Sequence, residues 1–550
     1  MATDCRIQIL SEEYADEIVG YYGERSLLDG KECYETVNEN FAVVYERRGE
    51  GGRQDFSFFT PLLFGLLDRD ALEDAGVNRV RRIPGFDYSG SGILIGIVDT
   101  GVEYRHPAFL FEDGTSRVET IWDQSDQSGQ PPEGFAFGTE FGAEAIRRGD
   151  APGDENGHGT FLAGVAAGKP DPAEDFYGVA PLAGIAVVKL KQAKKYLKDY
   201  YCMPEETDAY SEADVMFGVK YLAGYARRAG KPMVICLGVG TGLGSHRGNI
   251  PLSQYVNSLA YRPDLCLIAA VGNEGNTRHH ARVQVREETA EVELYVESRG
   301  SGFAMDVFSE AIGGLSLRIS SPTGEISPEL AQTAANTLTT PFLLDRTTLF
   351  VERESLTRTD TLQRMQLRFR TPAPGTWKLL LRSERSVTVD AWLPIREFMD
   401  AECYFLVPEP EVTLCEPANA PLLFTVGGYS VENGSLAPFS GRGFTGNGQK
   451  QPTVLAPSVA MTGPFAEGGY ITKSGTSAGA AFAAGCVALY MEYIVEYRGN
   501  SGSVSPLDTV ILRNLFSLGA RREEGTLYPS PVYGYGKLDL YGVFEFLRSL

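Results

Sequence analysis

Five stretches of this sequence, residues 93–98, 185–190, 233–237, 265–271 and 422–426, read as nearly continuous apolar text. A strand open to solvent on one side alternates apolar and polar residues, whereas a strand without that alternation needs cover on both faces. Helical text lies between several of the runs, notably over 211–229. The combination predicts an α/β domain on a mainly parallel sheet with helices on both faces. Reactive groups in such a domain belong at the carboxyl ends of the strands.

Between about residues 276 and 410 the alternation stops. Short strand-like runs at 292–296, 315–319, 365–369, 377–381 and 387–392 are separated by turn text such as Ser321-Pro322-Thr323-Gly324 and Pro372-Ala373-Pro374-Gly375. This spacing predicts a β sandwich or jelly roll inserted into the α/β domain. The insert is expected to add stability but no catalytic group, with His279 and His280 on a solvated loop at its start. Ahead of the α/β text, residues 1–67 read as a small α+β unit. Strands are expected over 5–10 and 40–45, an amphipathic helix over 12–22, and an apolar run closes the unit at 58–67.

Lysine and arginine number 50 and aspartate and glutamate 72, a net charge of −22 over 550 residues. So acidic a chain is repelled by a phosphate backbone, and no nucleic-acid partner is expected. No uninterrupted apolar run approaches ~18 residues, so no membrane partner is expected either. The text after Met1 is too short in apolar residues for a secretory signal peptide. The eight cysteines lack Cys-x-x-Cys spacing, which points to free thiols in a reducing compartment. The five histidines form no metal-spaced pair, so no metal site is expected. Calcium stays open, although no Asp-x-Asp-x-Asp-Gly loop is present.

Three motifs carry chemistry. The apolar run 93–98 ends in Asp99-Thr100-Gly101, which puts a carboxylate at a strand's carboxyl end. Asn156-Gly157-His158-Gly159-Thr160 sets a histidine between glycines at the start of a small-residue helix. Ser474-Gly475-Thr476-Ser477 opens a helix made almost entirely of small residues, where a hydroxyl can attack and the helix dipole supports an oxyanion. Singly, each has an ordinary reading: a turn-capping aspartate, a core histidine, an N-cap serine. Together, in the order Asp, His, Ser, they make a nucleophile, base and orienting carboxylate. Gly272-Asn273-Glu274-Gly275, after the run 265–271, adds an amide that can donate to an oxyanion.

These four motifs resemble those of the subtilisin-like serine peptidases over residues 68–548, interrupted by the insert. The resemblance implies Ser477 as nucleophile, His158 as general base and acid, Asp99 as its orienting partner, and Asn273 with the Ser477 N–H as oxyanion hole. It implies that an extended peptide substrate lies between Leu237-Gly238-Val239-Gly240 and the segment holding Ala270 and Gly272. Finer features, Tyr104-Arg105-His106-Pro107-Ala108-Phe109, Ile121-Trp122-Asp123-Gln124 and Pro408-Glu409-Pro410 with the insert, resemble the clostridial germination-specific (Csp-type) subtilases.

That subgroup implies a prodomain over 1–67 in the active-site cleft, a catalytic domain over 68–276 and 411–550, and a jelly roll over 277–410. It further implies no required cofactor, activation of a spore cortex hydrolase by limited proteolysis, and a location in the cytoplasm or the spore. Family likeness puts the start of the mature domain near Asp68, with self-cleavage after Leu67. Ala478-Gly479-Ala480 and Phe161-Leu162 depart from common family text without removing a reacting group. Two other readings stay open: a silent subtilase-fold scaffold, and a general intracellular subtilase.

Overall fold

The computed structural model describes residues 14–20, 25–31, 33–36, 41–47, 58–59, 68–83, 85–286, 289–309, 315–330, 337–355, 362–501 and 507–549. The strand expected over 5–10 and the residue Leu67 lie outside them. The chain divides into two compact units, Met1–Leu66 and Leu67–Leu550.

The first unit is a four-stranded antiparallel sheet in the order Tyr34–Thr36, Phe41–Arg47, Tyr14–Gly20, Phe58–Phe59. The helix expected over 12–22 is therefore corrected to a strand. Ile18 and Val19 stand in register with Val43 and Ala42. Seven residues fit either period, and pairing of β-branched positions across the sheet decides the outcome. A second correction concerns the thiols. Cys33 is disulfide-bonded, a pairing that depends on two Cα atoms coming close and not on sequence spacing. Cys202, Cys236, Cys266, Cys403, Cys415 and Cys486 are free and buried.

The second unit holds an eight-stranded sheet in the order Val454–Pro457, Phe424–Tyr429, Leu265–Ala270, Met233–Leu237, Leu94–Asp99, Gly184–Lys189, Val118–Asp123, Thr139–Gly142. Neighbours run parallel except the last pair, which is antiparallel. The apolar runs are continuous because alternate residues serve two separate cores. Ile95, Ile97, Val234, Cys236 and Ile268 meet the helices His158–Ala167 and Thr476–Ser501 on one face. Leu94, Val98, Ile235, Leu237 and Leu267 meet the helix Glu212–Ala229 on the other. The span Thr476–Tyr497 is long and apolar enough to cross a membrane, but 78% of its window is buried in the protein. It is the central core helix, and its small residues let it lie close to its neighbours: a Cβ at Gly479 would sit 2.3 Å from Ser458 Oγ.

The insert is built of two antiparallel sheets. One has the order His280–Val285, Val387–Trp392, Gly302–Ser309, Gln363–Arg370, Thr347–Ser355, Thr337–Phe342. The other runs Leu315–Ser320, Gly375–Ser383, Thr289–Val296, Cys403–Phe405. Successive strands alternate between the sheets, as in a jelly roll, except that Thr337–Phe342, Thr347–Ser355 and Gln363–Arg370 follow one another within the first. Inward side chains such as Leu294, Phe303, Leu317, Leu367, Trp377 and Leu381 form the insert's own core. Where the insert meets the α/β layers, Trp392 is stacked between His246 and His280, with ring centroids 4.3 and 4.6 Å away. The solvated loop expected at His279 and His280 is thus corrected: both side chains are buried, because each has a carboxylate partner, Glu274 and Asp390.

Candidate active site

The strand Leu94–Asp99 delivers Asp99, fully buried, to the carboxyl edge of the sheet. Its Oδ1 accepts the Thr100 N–H at 2.8 Å, which stops the carboxylate from rotating. His158 is the first residue of the helix His158–Ala167. Asp154 builds that helix start: Oδ1 accepts from the N–H of Gly157 at 2.9 Å, and Oδ2 from the N–H and hydroxyl of Thr160 at 2.9 and 2.7 Å. The helix and the aspartate loop interlock through Gly159, where a Cβ would lie 2.2 Å from the Gly101 carbonyl oxygen. Only glycine permits that approach.

His158 Nδ1 lies 2.8 Å from Asp99 Oδ1, and Nε2 lies 3.2 Å from Ser477 Oγ. A carboxylate only accepts, so the ring proton sits on Nδ1 and the lone pair on Nε2 faces the serine hydroxyl. Burial lowers the imidazole pKa, the Asp99 charge and hydrogen bond raise it more, and Lys473 opposes them; the net shift is upward from 6.5. The ring remains 31% exposed, open to a substrate.

Ser477 stands at the start of the helix Thr476–Ser501. Asn273 is tied to the same turn: its Oδ1 accepts from the Thr476 N–H at 3.0 Å and hydroxyl at 3.1 Å. With the oxygen so occupied, Nδ2 is the free donor end. A Cβ at Gly475 would stand 3.4 Å from Ser477 Oγ and 3.6 Å from Asn273 Nδ2, so both atoms border one small space. A carbonyl placed there meets a hydroxyl with an adjacent base and an amide donor. This is the geometry of acyl transfer.

The walls are only partly as expected. Leu237 is buried in the lower core and cannot line a cleft, because at its place in the strand the side chain points to the helix layer. Gly238 lies under the His–Asp pair, where a Cβ would be 3.1 Å from Asp99 Oδ2 and 3.3 Å from His158 Cε1. Gly240 is exposed, Val239 and Gly272 are half-buried, and Ala270 is buried. Sequence reasoning missed the segment between the walls. Cys415 N–H donates to the Val271 carbonyl at 2.8 Å, and Glu416 exchanges backbone bonds with Thr241 at 2.9 and 3.0 Å. A Cβ at Gly272, whose φ is +88°, would be 2.2 Å from Cys415 Sγ. The only sequence signal was the polar break in Leu414-Cys415-Glu416-Pro417, just after the insert.

Burial pushes the Glu416 carboxyl up to about 7 against hydrogen bonds from Ser253 and Gly248. Between the ordinary carboxyl value of 4.5 and about 7 the folded chain holds a proton that the unfolded chain releases. Stability therefore falls as pH rises through this window, by up to about 3 kcal/mol. Glu416→Gln should unfold at a higher temperature than the parent at pH 8. The difference should vanish near pH 4.5, as thermal scans at the two pH values would show.

Among the described residues no group of three or more His, Cys, Asp or Glu side chains could hold a metal ion. Asp68 begins the helix Asp68–Asp74.

The profile of the subtilase family matches residues 90–295 and 409–536, more than half of the chain, and passes over most of the β insert. The chain belongs to the subtilase family. This subtilase is 29% identical to thermitase of Thermoactinomyces vulgaris over 188 residues, 34% of this chain and 50% of thermitase. It is 25% identical to subtilisin of Bacillus sp. (strain TA39) over 186 residues, 34% of this chain and 35% of that protein. The chain thus spans half or less of the length of these relatives. The solved CspB protease of Clostridium perfringens is similar over 87% of this subtilase and 97% of its own chain, with 26% identity and a TM-score of 0.75.

Proposed function

We propose that this subtilase is a serine endopeptidase that activates another protein by limited proteolysis. The observation that carries the reading is the chain of contacts Asp99–His158–Ser477, at 2.8 and 3.2 Å, beside the Asn273 amide. Ser477 Oγ attacks the scissile carbonyl as its proton passes to His158 Nε2, giving an imidazolium that Asp99 stabilises. The oxyanion is held by Asn273 Nδ2 and the Ser477 N–H, each such donor being worth about 2.7–4 kcal/mol. His158 then protonates the leaving amine, and water repeats the sequence on the acyl-enzyme. The peptide adds as a strand between the segments around Gly240 and Gly272, over Cys415. A fluorophosphonate probe should label the folded protein at Ser477, and absence of labelling would favour the silent scaffold.

The likeness to the CspB protease extends over 87% of this chain, a span that cannot exclude the whole insert. On that likeness and the motif resemblance, the proposed target is a spore cortex-lytic enzyme precursor during germination, with the protein in the cytoplasm or the spore. Residues 1–67 are proposed as its prodomain, cut after Leu67, which would offer Leu67 to the substrate cleft and leave Asp68 on the departing side. Intact mass of the parent and of Ser477→Ala checks this. Cleavage between 63 and 70 in the parent alone is expected, whereas an uncut parent that still hydrolyses peptides would refute it.

A further inference from the structure

Glu274 follows the amide donor Asn273 directly, and its side chain is only 5% exposed. Its carboxylate is met from three directions. Oε2 accepts from the Thr277 hydroxyl at 2.9 Å, and Oε1 from the Arg396 N–H at 3.4 Å. His279 Nδ1 lies 2.7 Å from Oε2, a close contact without hydrogen-bond alignment. His279 stands at the start of the insert and Arg396 in the turn Arg396–Phe398, ahead of its last strand Cys403–Phe405. The two segments are themselves joined, since the Leu393 N–H donates to the His279 carbonyl at 2.9 Å. The next residue is pinned as well: Gly275 N–H donates to Phe439 O at 2.8 Å, and Arg442 Nη2 donates to Gly275 O at 3.0 Å.

A carboxylate taken out of water is costly unless its oxygens are paired. Here the pairing fixes one peptide step from the atom that must meet the developing oxyanion. We propose that Glu274 is a positioning residue for Asn273: it ties the oxyanion loop to two segments of the β insert, around His279 and Arg396, and so keeps Nδ2 aimed into the space beside Ser477. The inference rests on the serine-peptidase reading. It gives the insert a part in the chemistry without a catalytic group, because transition-state donors must be held within about 0.5 Å and 10–20°. Slack in the loop weakens a bond made mainly in the transition state, so kcat falls while KM stays.

A double-mutant cycle on the full chain tests this with one short peptide substrate. Asn273→Ala is expected to lower kcat by about 10²–10³, the cost of losing such a donor in the related subtilisin. Glu274→Ala should lower kcat by about tenfold or more with KM nearly unchanged, while in the Asn273→Ala background it should cost less than about twofold. Glu274→Gln, whose oxygen can accept from the Arg396 N–H while its amide donates to the Thr277 hydroxyl oxygen, leaving the Thr277 proton to the residue 274 carbonyl, should recover most of the rate. An equal loss in both backgrounds would mean a merely structural role and overturn the inference, as would an unchanged kcat. Should Glu274→Ala not fold, Thr277→Val, which removes one partner of the carboxylate, replaces it in the cycle. Failure of the peptidase reading is distinct: the parent itself would then neither hydrolyse the peptide nor take the fluorophosphonate label at Ser477.

Discussion

Ser477→Ala is expected to reduce peptide hydrolysis by about 10⁶ in kcat, the magnitude of nucleophile removal in the related subtilisin. The fold should survive. Ser477 opens a helix whose next residues are Ala478, Gly479 and Ala480, and alanine has a higher helix propensity than serine. Asn273 keeps its grip on the turn through Thr476, whose N–H and hydroxyl it accepts. His158→Ala should cost about as much, because Ser477 Oγ then has no base within hydrogen-bond reach. The double variant should be no worse than either single one, since the groups act as a unit. Single-turnover assays on the three variants, with circular dichroism to confirm folding, check this. Parent-like turnover in Ser477→Ala would remove the nucleophile assignment.

The parts of this site that could be read in the sequence are those with short-range causes. A strand buried on both faces must end somewhere, and Asp99 stands at that end. A histidine between glycines before a small-residue helix needs a tight approach, which Gly159 makes against Gly101. The parts that could not be read have long-range causes. Glu416 meets Thr241 and Ser253 across more than 160 residues of chain. Glu274 meets Arg396 across 122, most of them the insert. The misjudged His279 and His280 sit in polar text, and only the fold supplies the carboxylates that allow their burial. Tyr14–Gly20 was misjudged for the same reason, because its partner strand, not its own period, sets its conformation.

Asp99 offers a way to separate charge from hydrogen bonding. Asp99→Ala should lower kcat by about 3 × 10⁴, the cost of losing the corresponding carboxylate in subtilisin. Asp99→Asn should cost less, for a reason specific to this geometry. Both bonds fall on one oxygen: Oδ1 accepts from Thr100 N–H and from His158 Nδ1, each at 2.8 Å, while Oδ2 is buried without a partner among the described residues. An asparagine with its amide nitrogen at the Oδ1 position would face the Thr100 donor and force the imidazole into the wrong tautomer, a failure worth about 10⁴ elsewhere. With its oxygen there, both bonds persist and only an NH₂ is left unpaired, at about 1–3 kcal/mol. The second arrangement keeps more bonds and should prevail. What is then lost is the negative charge that holds the imidazole pKa up. The base must be unprotonated to act, so the acid limb of the kcat/KM profile should move to lower pH in Asp99→Asn. The charge is lost in either orientation, so the limb moves in both, and a full 10⁴ loss would instead show that the amide had turned over.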